Sequence, residues 1–107
     1  MIAKTPEPPY FAVIFTSLRT DLEDGYDFKS QRMVELAKDQ NGFIGIESAR
    51  EDLGITVSYW KVLNSIRNWK ENLEHKAAQN KGKSDWYEEY TVRITEVVRE
   101  YSFKQLK

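Results

Sequence analysis

Between Tyr10 and Leu18 the chain reads Tyr-Phe-Ala-Val-Ile-Phe-Thr-Ser-Leu, apolar at nearly every position and rich in aromatic and β-branched side chains. Such a run favours a β-strand. Successive side chains of a strand point to opposite faces of its sheet. Near-continuous apolarity therefore means that both faces need cover. A chain of 107 residues has little material with which to supply it.

The rest of the chain shows what is on hand. Residues 1–9, with Pro6, Pro8 and Pro9 crowded together, read as an extended arm, because proline removes donors and forbids helix. Residues 10–107 read as one domain. Tyr26 to Gln40 reads as a helix, with Tyr26, Met33, Leu36, Ala37 and Gln40 on one stripe. Asp24 is the expected N-cap and Gly42 the expected stop. Phe43–Arg50 reads as a strand, Glu51–Gly54 as a hairpin turn, and Ile55–Trp60 as a third strand. Val62 to Asn80 reads as a second helix, its stripe formed by Ile66, Trp69, Leu73 and Ala77. Gly82 interrupts it, Ser84–Tyr87 reads as a short helix, and Tyr90–Tyr101 as a long last strand.

The order β-α-β-β-α-β predicts an α+β, ferredoxin-like fold: a four-stranded antiparallel sheet with both helices on one face. The other face then needs a cover of its own, since soluble monomers rarely show large apolar patches to water. A two-fold copy of the same chain meets that need, and two-fold dimers are the commonest oligomers. The expected assembly is a homodimeric α/β barrel, with the far end of the last strand reaching onto the partner's sheet.

Composition removes several function classes. The formal net charge is -1, which speaks against a general grip on nucleic acid. The third strand also lacks the basic-aromatic start of an RNA-recognition motif. There is no cysteine, so disulfides and Cys-ligated metal are excluded, and one histidine makes no multi-His site. No run approaches the roughly 18 apolar residues of a membrane span, and the N-terminus has no apolar signal core. We expect a cytoplasmic protein without membrane contact. The glycines are scattered, with no phosphate loop among them. Glu47 and Glu96 on strands read as guards against edge pairing.

Two features remain for chemistry. His75 has an ordinary pKa near ~6.5, suited to acid–base work at neutral pH. On an unbroken helix, at about 100° per residue, it falls on the flank away from Trp69; a bend near Asn72 turns it to the sheet. The second feature is the rings: Tyr59, Trp60, Trp69, Trp86, Tyr87 and Tyr90. They form either a plain aromatic core or the flat walls of a ligand cleft.

Several stretches together resemble the antibiotic biosynthesis monooxygenase family. They are Phe11-Ala12-Val13-Ile14-Phe15, Gly42-Phe43-Ile44-Gly45-Ile46-Glu47-Ser48, Val57-Ser58-Tyr59-Trp60, Ile66-Arg67-Asn68-Trp69, Glu74-His75-Lys76-Ala77-Ala78-Gln79 and Trp86-Tyr87. The likeness covers about residues 10–101 and points to a small bacterial branch. It implies a dimeric ferredoxin-like barrel whose relatives oxygenate aromatic polyphenols without metal, flavin or other cofactor. In such relatives the phenolate of the substrate itself passes an electron to oxygen, and the protein supplies a dry, shaped pocket. Carried onto this chain, the resemblance implies His75 as the catalytic group and Tyr59, Trp60, Trp69, Gln79, Trp86 and Tyr87 as the substrate site. A haem-degrading branch uses a strand-one Asn, a Trp and a His ten residues later. Here Trp69 matches, but Gln79 stands in the His position and Tyr10–Leu18 holds no Asn, so haem degradation is not expected. The competing reading is a non-catalytic module that holds a hydrophobic metabolite or serves as an interaction unit.

Overall fold

A computed structural model describes residues 1–23, 25–79 and 86–106, and the side chains of all of these except 74–79. Its elements run β1 (Tyr10–Arg19), α1 (Tyr26–Lys38), β2 (Phe43–Arg50), β3 (Leu53–Trp60), α2 (Leu63–Gln79) and β4 (Tyr87–Val97). The strands form one sheet in the order β2-β3-β1-β4. Every neighbouring pair is antiparallel. This is the ferredoxin-like α+β fold that the pattern predicts.

The boundaries shift where pairing overrides local signals. Leu53 and Gly54 belong to β3, not to the turn, because β1 is long enough to pair them with Leu18 and Ser17. β4 begins at Tyr87, opposite Arg19, and stops at Val97, opposite Tyr10. Tyr10 opens β1, so residues 98–101, expected in the strand, have no further rung to join. Of the expected short helix, Trp86 is helical and Tyr87 already belongs to β4; Ser84 and Asp85 lie outside the described residues.

α1 starts from Gly25, whose left-handed backbone (φ 80°) forms the N-cap with no side-chain hydrogen bond. The expected cap, Asp24, lies outside the described residues. Gly42 carries the chain from α1 into β2 at φ 87°. A side chain there would also run into the hydroxyl of Ser65 on α2. The site thus needs glycine for both backbone and space.

The register assigns each strand residue to a face. One face carries Phe11, Val13, Phe15, Ser17 and Arg19 of β1, with Trp60, Ser58, Thr56 and Gly54 of β3 beside them. Trp60 on this face stacks on Trp69 of α2, at 6.2 Å between ring centroids, so this is the helix side. Its core is Trp60 with Ile66, Ala37 and Ser65, all buried. The opposite face carries Tyr10, Ala12, Ile14, Thr16 and Leu18 with Tyr59, Val57, Ile55 and Leu53. The N-terminal arm covers only one end of that face. Ala3 lies over Gly45, and Tyr10 and Ala12 are buried. At the other end Leu53 and Ile55 stay 47% and 41% exposed.

Candidate functional site

The helix side of the sheet has two differently built ends. At the first, the wholly buried Trp60 meets Phe43 edge-on at 5.4 Å and Trp69 face-on. The Trp60 indole donates to Ser58 Oγ at 2.9 Å. That bond satisfies the one polar atom of a buried indole. Position explains the cluster: Trp60 and Phe43 share a rung of β3 and β2, and Trp69 faces them from the second turn of α2.

At the second end, Phe15 meets Tyr87 at 5.6 Å and Tyr90 at 5.4 Å. Tyr26, the first residue of α1, stacks on Trp86 at 5.8 Å. The Tyr87 hydroxyl donates to that of Tyr26 at 3.3 Å. Burial, then this bond, pushes the Tyr87 phenol up, while Arg50 and Arg19 pull it back. Between the two ends β4 offers Tyr90, Val92 and Ile94 to the helix side, each about half exposed (48%, 49% and 50%). An apolar strip with rings at both ends is thus open on the helix side.

The expected site residues fall into three groups. Trp60 and Trp69 come together at one end of the helix side, and Trp86 and Tyr87 at the other. Tyr59 does not join them: its ring points to the opposite face, edge-on to Tyr10 at 5.9 Å. There the Tyr59 hydroxyl donates to Glu47 at 2.6 Å. Burial, then this carboxylate, pushes its pKa up to about 12. His75 and Gln79 lie on α2, but their side chains are outside the described residues.

Glu47 has a different role from the one expected. It accepts from Tyr59 and, at 2.8 Å, from the Ala3 amide of the arm. These two bonds hold its carboxyl below the usual carboxylate range, against some desolvation. The glutamate is a clasp for the arm, not an edge guard.

Sequence reasoning missed Arg19, Arg50, Ser17 and Tyr26. Gly54 was the available signal. A glycine inside a strand often marks close approach of another group, and here it is the Arg50 side chain that lies over it. Among the described residues, no cluster of three or more His, Asp or Glu is placed to hold a metal ion. Among the described residues, no helix is long and apolar enough to cross a membrane.

The comparisons with known proteins fit this architecture. No known family model matches the chain. Among solved structures, a dimeric ferredoxin-like protein from an uncultured marine organism superposes with TM-score 0.66 at 15% identity, covering 88% of this chain and 100% of that one. SnoaB of Streptomyces nogalater, a cofactor-independent oxygenase, superposes with TM-score 0.64 at 11% identity, covering 92% and 100%. At these identities the likeness is one of fold, and it makes this chain one of the ferredoxin-like α+β proteins. By sequence it belongs with the uncharacterised protein YqjZ of Bacillus subtilis, to which it is 50% identical over 106 residues, covering 97% of this chain and 93% of that one.

Proposed function

We propose that the protein is a cofactor-independent monooxygenase of the antibiotic biosynthesis type, acting on an aromatic or quinol-like small molecule. The observation that carries this reading is the ring-ended apolar strip on the helix side, with Tyr90, Val92 and Ile94 open to a ligand. Flat walls of this kind suit a planar substrate and keep water from it. The fold shared with SnoaB, a cofactor-independent oxygenase, supports it.

The proposed site comprises His75, Trp60, Trp69, Gln79, Trp86 and Tyr87, without Tyr59. His75 takes the phenol proton. The phenolate passes an electron to oxygen, and the two radicals combine at the ring carbon para to the phenolate oxygen, which carries one hydrogen. One oxygen atom stays there as a carbonyl; the other leaves as water with that hydrogen and the proton returned by His75. The substrate is the only reductant, so neither metal nor flavin is called for.

The working unit is a homodimer in the cytoplasm. The face around Leu53 and Ile55 has the exposed apolar character of an interface. The tail beyond β4, with Val98, Tyr101, Phe103 and Leu106 all at least 74% exposed, is suited to reach a partner.

The test is oxygen uptake by chelator-treated protein given a panel of anthrols and naphthalenediols. Uptake matched to substrate loss, and suppressed in His75→Ala, is expected; no uptake across the panel overturns the reading. A second reading is a holder without turnover, favoured by Trp60, Phe43 and Trp69 packing on each other at their own end. It predicts that His75→Ala leaves ligand affinity unchanged in a protein that never consumes oxygen.

A further inference from the structure

One rung of the sheet joins Arg50 of β2, Gly54 of β3, Ser17 of β1 and Tyr90 of β4. Arg50 reaches across β3 along this rung. Its guanidinium lies where a Gly54 side chain would stand, and its Nη2 donates to the buried hydroxyl of Ser17. Glycine at position 54 is what lets the cation lie flat on the sheet. A serine hydroxyl leaves the charge uncompensated, and among the described residues no carboxylate forms an ion pair with Arg50.

A second guanidinium stands two residues along β1. Arg19 lies over the Tyr26 ring, 3.4 Å from its centroid. Its only ion-pair partner among the described residues is Glu23, loosely held at 3.6 Å and well exposed. Its Nε is buried and has no acceptor among the described residues. A buried donor left without a partner is costly, and native structures seldom keep one without reason. Tyr26 accepts from Tyr87, which leaves its own hydroxyl hydrogen to donate. Around these donors stand the flat walls of Tyr26 stacked on Trp86, with Phe15 and Tyr90 alongside.

We propose that this corner is an anion subsite, in which Arg50 and Arg19 hold the carboxylate of an aromatic acid whose ring lies along the open strip of β4. A guanidinium matches a carboxylate with two parallel hydrogen bonds. Among the described residues Arg50 has no carboxylate partner, and Arg19 has only the long contact to Glu23 at 3.6 Å beside a bond from its Nη2 to the Leu22 carbonyl. The walls require the rest of the ligand to be planar and apolar. The inference deepens the proposed function by naming aromatic carboxylic acids as the substrate class. It rests on that reading for the location of the ligand.

The test compares 1-naphthoate with 1-naphthol by calorimetric titration of the full chain, with inorganic phosphate as a third probe. In the wild type the acid is expected to bind at least tenfold more tightly than the alcohol, and phosphate alone weakly. Arg50→Gln removes the charge. Gly54→Ala keeps every charge but displaces the guanidinium. Each is expected to weaken naphthoate at least tenfold and to leave naphthol within twofold. Equal affinity for acid and alcohol, naphthoate binding untouched by both variants, or binding of neither probe would each overturn the subsite. The wild-type comparison needs no variant, so a variant that fails to fold does not blunt it. Turnover is not read, so an inactive protein that prefers the acid loses the oxygenase reading and keeps the subsite. An active one indifferent to the carboxylate does the reverse.

Discussion

Replacing Trp60 by alanine probes the packing on which the helix side depends. Trp60 is fully buried, at 0% exposure, between Phe43 and Trp69. Truncating a buried tryptophan to alanine costs about 3–5 kcal/mol, rising with the cavity left behind. Two ring pairs are lost here, each contributing about 0.5–1.5 kcal/mol beyond burial. The indole bond to Ser58 goes as well, a net loss of about 1 kcal/mol. These contributions overlap, and they place Trp60→Ala near the top of the range, at about 4–5 kcal/mol. Trp69 is only half-buried, so Trp69→Ala should cost clearly less. With a urea slope of about 2 kcal/mol per molar, the Trp60→Ala midpoint should fall by roughly 2 M. Far-UV circular dichroism at one fixed protein concentration reads it, because the stability of any self-associating chain depends on concentration. A loss below about 1.5 kcal/mol, or a larger loss for Trp69→Ala, would refute the account of this end of the core.

Other consequences are as definite. Glu47 has a lowered pKa in the folded chain, so its contribution is present above the unfolded value of about 4.3 and is lost as pH falls through the folded value. Glu47→Gln should flatten the acid limb of a stability-against-pH curve, and an unchanged limb contradicts the clasp. Gly42→Ala should cost about 2–4 kcal/mol by chemical denaturation, from the left-handed backbone and the collision with Ser65. A loss under 1 kcal/mol, on the order of a helix-propensity change, would show that the turn relaxes. Light scattering of the wild type should give twice the 12.6 kDa chain mass, and Ile55→Lys should shift it toward the single chain; a compact lone particle in the wild type removes the paired face.

Much of this fold was written into local patterns. The apolar run of β1 and the stripes of α1 and α2 follow from period alone, and they set the order of elements. Long-range pairing is what the patterns left out. Leu53 and Gly54 look like turn residues until β1 is seen to pair them, and Tyr101 looks like strand until β1 runs out opposite Val97. The site was half legible. Trp60 and Trp69 were predictable neighbours across β3 and α2. The resemblance puts Tyr59 and Trp60 in one site, although the alternation of Ile55, Val57 and Tyr59 against Thr56, Ser58 and Trp60 already sends them to opposite faces. Arg50 and Ser17 are separated by a whole strand, and only the register, with a glycine between them, brings them into contact.

Planar aromatic molecules are expected to bind on the helix side of the sheet, and a titration of the labelled protein with 1-naphthol, followed by NMR, reads where they sit. Shifts should concentrate on the Trp69 and Trp86 indoles and on the Val92 and Ile94 side chains. Shifts confined to Leu53, Ile55 and Val57 on the opposite face, or none at all, would contradict it.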